Sequence, residues 1–328
     1  MFHLRTEQDL DGLRHATYQY AVICGWSDGG LFDALRDGKA RSAAELPGEE
    51  RAIATTAPVL GNLGVLLRQE IDGVVSWRLS PSGRRLVRAG VLPVPRALAG
   101  LGNLSRLDAV LADGGPVPDE TGQRKATSGG VRADDPEQNR LFMDSLWRRS
   151  AVGASETAHA IADRHPPGHA LDLGGGHGRY GAELLGKGWT VTLFDRAGIV
   201  DIARERYEDQ LSYLRGDFLE GDLGGPYQAI LLSNIVHGLS DAELDSLLPR
   251  LRAAMSAGGL LVLKDMFFDD TGVGPRIPAI FGVTMLMHTE GGRSYGVAEL
   301  RPRLAAAGFE QADHLYLPDQ SFSLVIAR

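Results

Sequence analysis

Cysteine is almost absent from this chain: Cys24 stands alone. A single thiol excludes an internal disulfide and a cysteine-cluster metal site, and it fits a reducing compartment, so a cytoplasmic location is expected. Long apolar runs are missing as well. None approaches the roughly 18 residues that a membrane-spanning helix needs. The start, Met1-Phe2-His3-Leu4-Arg5-Thr6-Glu7, lacks a basic stretch followed by an apolar core, so no signal peptide is expected. Positive charge is in deficit. The 34 Lys and Arg face 42 Asp and Glu, for a formal net charge of −8. That balance argues against a nucleic-acid backbone or an anionic membrane as the main partner. Internal repeats and low-complexity tracts are absent too. What is present is 328 residues, 43% of them hydrophobic, enough for two domains and a sizeable core.

The first 95 residues read helix, helix, hairpin. Leu10 to Leu35 has helical apolar spacing interrupted at Gly29-Gly30. Ser42 with Glu45 three residues on suggests a capped helix start. Ala52 to Leu67 predicts a second helix, and Ile71 to Leu79 a short hairpin turning at Asp72-Gly73. This is the order of a winged helix. Lys and Arg balance Asp and Glu through residue 95 at 11 each, so a DNA-reading face is not expected, and dimerisation with a lid role is. Pro93 and Pro95 mark a boundary. Residues 96–165 read as mainly helical, with a polar loop near Asp113 to Ala133. His165-Pro166-Pro167-Gly168 is a break. After it, strands are predicted at Ala170–Leu173, Val191–Asp195, Leu211–Leu214, Ala229–Ser233 and Leu260–Lys264. A helix from Asp241 to Met255, capped by Ser240 and ended by Gly258-Gly259, separates the last two. Alternating strands and helices predict a mostly parallel sheet. His314–Leu317 and Phe322–Ala327, around Pro318-Asp319-Gln320, predict a C-terminal hairpin. The expected domains are therefore 1–95, 96–165 and 166–328, with an α/β fold in the last.

The densest signal is Ala170-Leu171-Asp172-Leu173-Gly174-Gly175-Gly176-His177-Gly178. A strand runs into glycines where backbone must approach a ligand closely. Seventeen residues after Gly178, a second apolar run ends in Asp195. A glycine turn after one strand and an acid ending the next suit a nucleoside ribose. The dinucleotide pattern G-x-G-x-x-G/A would need Gly or Ala at position 179, which is Arg179. Further polar residues follow the other strands: Asp217 after the third, His237 after the fourth, and Asp265 at the end of the fifth. Ligands in open α/β sheets bind beyond the carboxyl ends of the strands, so these residues are expected to converge on one cleft.

The pattern D-x-G-x-G-x-G, Asp172 to Gly178, resembles motif I of class I methyltransferases that use S-adenosylmethionine. Residues 166–328, with the winged helix before them, resemble the small-molecule O-methyltransferases of plants and bacteria, most closely from Ala170 to Gly308. The segment Ser233-Asn234-Ile235-Val236-His237-Gly238-Leu239 matches the family's loop with a general-base His, and Met285 to Arg293 matches a segment that closes over the substrate. The resemblance implies a Rossmann-like methyltransferase sheet with a C-terminal antiparallel hairpin. It implies S-adenosylmethionine as cofactor, with Gly174 and Gly176 facing its methionine part and Asp172 among the cofactor-binding residues. Asp195 would hold the ribose hydroxyls, Asp217 the adenine amino group, and Phe218 the ring. Ser233 stands where many plant relatives place a Lys that reaches the cofactor. Met143 and Met285 match positions that sandwich an aromatic acceptor, and Trp147, Asn234 and His288 join that side. His237 would be the base and Asp265 its orienter, where relatives carry Glu. The family's second orienting Glu is Ser294 here.

Such a reaction asks little of the protein beyond holding an oxygen in line with the methyl, and positioning of that kind is worth about 7–11 kcal/mol. A phenol titrating near about 10 is protonated at neutral pH, and an imidazole suits the removal of its proton. The expectation is methyl transfer to a hydroxyl of a small aromatic or polyketide-like intermediate of secondary metabolism, such as antibiotic biosynthesis, by a homodimer. C- or N-methylation, with or without metal assistance through His237 and His288, is an alternative, as is a non-methylating reaction on the same fold. No bound metal is expected.

Overall fold

The structure, a computed structural model, describes residues 5–92, 102, 104–117, 135–318 and 322–328. Pro93, Pro95, most of the 113–133 loop and Asp319-Gln320 lie outside them. Contacts divide the chain into two compact units, Met1–Asp108 and Ala109–Arg328.

In the first unit, α1 (Glu7–Asp28) opens on a Thr6–Asp9 capping box, α2 (Leu31–Ala34) follows Gly30, and α3 spans Glu50–Asn62. A small sheet of β1 (Arg41–Ser42), β2 (Leu66–Ile71) and β3 (Val74–Leu79) has the order β1-β3-β2, and α4 is Pro81–Arg88. Asp72 and Gly73 both have positive φ, which suits a two-residue hairpin turn. Two expectations change here. The Ser42–Glu45 capping box forms but opens only a single 3-10 turn, because Pro47 blocks helix continuation at Leu46. The second helix stops at Asn62 rather than Leu67. Gly64 adopts φ +71, and Val65 N and Gly64 N donate to the Leu60 and Gly61 carbonyls, a Schellman end that lets β2 begin. Trp26, Phe32, Leu35, Leu60, Trp77 and Leu79 form the core of this unit.

The helix α5 (Leu107–Asp113) straddles the division. In the second unit, α6 (Pro136–Arg149) and α7 (Ala151–Ala162) precede a seven-stranded sheet. Its strands are β4 (His169–Leu173), β5 (Thr190–Asp195), β6 (Ser212–Arg215), β7 (Tyr227–Ser233), β8 (Met255–Asp265), β9 (Ala312–Tyr316) and β10 (Ser323–Ala327). The order is β6-β5-β4-β7-β8-β10-β9. The first five are parallel, and β10 is antiparallel to both β8 and β9. Helices α8 (Arg179–Leu185), α9 (Ala197–Tyr207), α10 (Asp241–Ala253), α11 (Arg276–His288) and α12 (Val297–Ala306) complete the unit. One face of the sheet packs Leu244, Leu247, Leu251, Leu300 and Leu304 from α10 and α12. The other packs Ala154, Ala158, Tyr180, Leu184 and Val200 from α7, α8 and α9.

The helix expected to reach Met255 ends two residues earlier, and Gly258-Gly259 lies inside β8 rather than at a helix end. A register shift between Tyr227 and Ala229 on β7 sets Ser256 to Gly259 opposite the single residue Gln228. Beyond them, side chains alternate as a strand requires: Leu261 and Leu263 join the α10 side, Leu260 and Val262 the α8 side. That alternation sends Lys264 and Asp265 to opposite faces. Successive strands run outward from β4 in one direction through β5 and β6, and in the other through β7 and β8. The reversal between β4 and β7 is where an open parallel sheet leaves a ligand crevice.

Candidate active site

The glycine turn leaves β4 at that reversal. Gly174, Gly176 and Gly178 have φ of +66, +53 and +77, a region L side chains rarely adopt. At Gly174, strain is compounded by contact, since a Cβ there would lie 2.3 Å from Ile235 Cδ1. The turn is tied to β5. Gly174 N donates to the Phe194 carbonyl, and Asp195 accepts from Gly176 N at 2.9 Å and from Arg196 N at 2.7 Å. Burial raises the Asp195 carboxyl above its ordinary range. Asp172 is wholly buried. One oxygen accepts from Gly181 N, the other has no partner, and burial pushes its carboxyl up to about 7.

Ser233, at the end of β7, also buries a hydroxyl oxygen with no partner. Unpaired buried polar atoms are costly. Here two of them lie near the ends of β4 and β7, the strands on either side of the reversal, beside a backbone cradle that side chains would fill. Asp172, Asp195, Ser233 and the glycines could therefore hold a polar, cationic nucleoside cofactor, and S-adenosylmethionine fits that donor set. Met143 packs there too: its sulfur lies 3.3 Å from where a Gly176 Cβ would stand, and it clusters with Ile199 and Ile202. Phe218 approaches to 3.9 Å of the Gly174 Cβ position. Asp217 accepts from Leu219 N, so it also shapes its own turn.

The second half of the crevice is the loop after β7. His237 sits in a 3-10 turn, Val236–Gly238, and its side chain is 15% exposed. Its Nδ1–H donates to Asp265 at the end of β8, at 2.8 Å to Oδ1, and its backbone N–H donates to Oδ2 at 3.1 Å. Burial alone would raise the Asp265 carboxyl, but the His237 ring and the His237 and Met266 amides outweigh it and hold it below its ordinary range. With Nδ1 facing the carboxylate, Nε2 is the nitrogen that carries the lone pair. The Phe281 ring meets the imidazole edge-on, centroids 4.8 Å apart at 86°. The His237 carbonyl accepts from Arg293 N, which fixes the loop from the other side.

The remaining expected residues divide. Helical spacing puts Phe281, Met285 and His288 of α11 on one face, so Met285 lies one turn beyond the ring that touches His237. His288 is exposed at the end of that helix. Among the described residues, no group of three or more His, Cys, Asp or Glu side chains is placed to hold a metal. Trp147 donates its indole N–H to the Tyr207 hydroxyl, and the Arg179 guanidinium lies 4.3 Å from its ring centroid. The Ser294 hydroxyl donates to the Pro278 carbonyl at 2.7 Å, tying the segment after α11 to that helix's start. Asn234 takes φ +58, and its amide oxygen accepts from Lys264 Nζ at 2.8 Å. Lys264, Ile235 and Phe281 were not singled out from the sequence. The signal for Lys264 was legible: a lysine ending the apolar run Leu260-Leu261-Val262-Leu263.

The parallel sheet with its reversed edge, the glycine turn and the adjacent His–Asp pair define a Rossmann-like methyltransferase. A family model described as an O-methyltransferase domain matches residues 118–310, and the chain belongs to that family, whose cofactor is S-adenosylmethionine. Acetylserotonin O-methyltransferase of Mus musculus is 31% identical over 201 residues, covering 56% of this chain and 51% of that protein. The 3-hydroxy-5-methyl-1-naphthoate 3-O-methyltransferase of Streptomyces sahachiroi is 28% identical over 189 residues, covering 53% and 54%. The chain thus spans about half the length of the curated relatives it matches. Human N-acetylserotonin methyltransferase, solved in complex with S-adenosylmethionine, superposes with a TM-score of 0.76 at 18% identity. That match covers 100% of this chain and 99% of that one and establishes the fold.

Proposed function

We propose that this chain methylates a hydroxyl of a small aromatic or polyketide-like acceptor, with His237 as general base. S-adenosylmethionine, when bound, supplies the activated methyl group. The protein's own residues do the rest. Asp172, Gly174, Gly176 and Ser233 would receive the methionine part, Asp195 the ribose, and Asp217 and Phe218 the adenine. Met143, Phe281 and Met285 would flank an aromatic ring, leaving its hydroxyl near Nε2 of His237. That nitrogen accepts the hydroxyl proton as the oxygen attacks, and the buried Asp265 stabilises the imidazolium that results. The observation carrying this reading is the 2.8 Å contact to buried Asp265 from Nδ1 of His237, in the loop after β7, the strand that borders the sheet's reversal and whose following loop packs Ile235 on the glycine turn.

Phenolic and hydroxynaphthoate acceptors incubated with labelled S-adenosylmethionine should acquire the label. His237→Ala should cut turnover about 100-fold or more, the range general-base removal produces. Asp265→Asn should cost less than His237→Ala, because an orienter acts only through the group it orients. Turnover unchanged in His237→Ala would rule out the base assignment.

The first unit is proposed to be a winged-helix dimerisation domain, making the enzyme a homodimer. Support comes from α1, whose Leu10, Leu13 and Tyr20 are 52%, 43% and 46% exposed at helical spacing along one face.

A further inference from the structure

The loop from Asn234 to His237 is held at both ends by two consecutive residues of β8. Asp265 grips its far end, through the His237 ring and amide. Lys264 grips its near end twice: its carbonyl accepts from Asn234 N at 2.8 Å, and its ammonium donates to the Asn234 amide oxygen at 2.8 Å. Strand alternation places these two grips on opposite faces of the sheet, so the loop is clamped rather than hinged. Lys264 is 2% exposed, and its ammonium lies 3.3 Å from the centroid of the Phe322 ring. Burying an ammonium is expensive, and a methionine would fill the same channel without that cost. Asn234 has a left-handed backbone, uncommon for a residue with a side chain and tolerated by Asn best when its amide is bonded. The next residue, Ile235, packs against Gly174 of the glycine turn. One chain of contacts therefore runs from Lys264 through Asn234 and Ile235 to the cofactor cradle.

We propose that Lys264 is a positioning residue: by bonding the Asn234 amide it holds the left-handed turn at 234, and so sets both Ile235 against the cofactor turn and His237 toward the acceptor. This rests on the methyl-transfer reading for its effect on turnover, but its effect on cofactor affinity stands without it.

The test uses the full chain and the variants Lys264→Met, Asn234→Ala and Lys264→Met on an Asn234→Gly background. S-adenosylhomocysteine affinity is read by titration calorimetry, with thermal stability, kcat and acceptor KM alongside. Lys264→Met should retain or raise the melting temperature. It should weaken S-adenosylhomocysteine about five-fold and lower kcat about ten-fold, with acceptor KM within about two-fold, as coupling among contacting residues allows. Asn234→Ala should reproduce both losses, and it carries the test if Lys264→Met does not fold. On the Asn234→Gly background, where glycine takes the turn without help, adding Lys264→Met should cost less than about two-fold. The proposal is overturned if both single variants keep wild-type affinity and kcat, or if the Lys264→Met loss is undiminished on the glycine background. Weakened affinity in a protein that methylates no acceptor would leave the positioning role standing and sink the methyl-transfer reading alone.

Discussion

Asp172 makes a consequence of burial measurable. Its carboxyl is held near about 7 in the folded chain against an ordinary 3.8. Between those values the folded protein keeps a proton that the unfolded chain has released. Stability rises with pH only where the unfolded state binds more protons, so here the sign is reversed. The contribution of Asp172 is full below about 3.8 and is lost as pH rises towards about 7. His177 works against it, because burial lowers its imidazole to about 4, and a buried neutral His loses stability as the solution is acidified. Comparison with Asp172→Asn isolates the acid. Melting temperature should fall less between pH 4 and 7 in Asp172→Asn than in the wild type, and equal slopes would refute the assignment. The acid itself was legible in the sequence as the D of D-x-G-x-G-x-G. Its unpaired oxygen was not, because burial depends on α8 closing over β4. The same holds for Trp147: the aromatic was legible, but its partners Tyr207 and Arg179, distant in sequence, were not.

At the scale of elements, the glycine turn and the loop after β7 act as one unit, since Ile235 fills the space above Gly174. Gly174→Ala should therefore fail twice. A left-handed backbone costs a residue with a side chain about 1–2 kcal/mol. The new methyl would also stand 2.3 Å from Ile235 Cδ1, displacing the loop that carries His237. Calorimetry should show S-adenosylhomocysteine affinity down at least about ten-fold with a lowered melting temperature, given strain and overlap together. Wild-type affinity in that variant would separate the two loops. The turn was readable because glycine spacing is a local property. The boundaries of β2 and β8 were misread for the same reason in reverse. A helical period continued through Leu67 and to Met255, and only the Schellman bonds at Gly64 and the pairing of Met255 with Tyr227 of β7 show where each element changes.

For the whole molecule, the large cores are three, one around Trp26, Phe32 and Trp77 and one on each face of the large sheet. No helix among the described residues is long and apolar enough to cross a membrane. The exposed stripe on α1 carries the dimer proposal. Light scattering should return about twice the mass of one chain, and Leu13→Glu with Tyr20→Glu should shift it towards the monomer, because both changes put charge on the apolar stripe that the dimer would bury. A single-chain mass at tens of micromolar would argue against the dimer. By itself, the sequence determined the parallel sheet, the glycine turn and the polar residues at strand ends, each of which follows from a local period or from the rule that strand ends of an open sheet meet at one crevice. The pairing of His237 with Asp265 came only from the resemblance to the O-methyltransferases. Tertiary structure alone decided that Phe281 edges the imidazole, that Ser294 serves Pro278, that Met143 lies at the glycine turn, and that Lys264 holds Asn234. These contacts join residues far apart in the chain, and their geometry depends on how each helix rolls and how each strand registers against its neighbour, which no local pattern encodes.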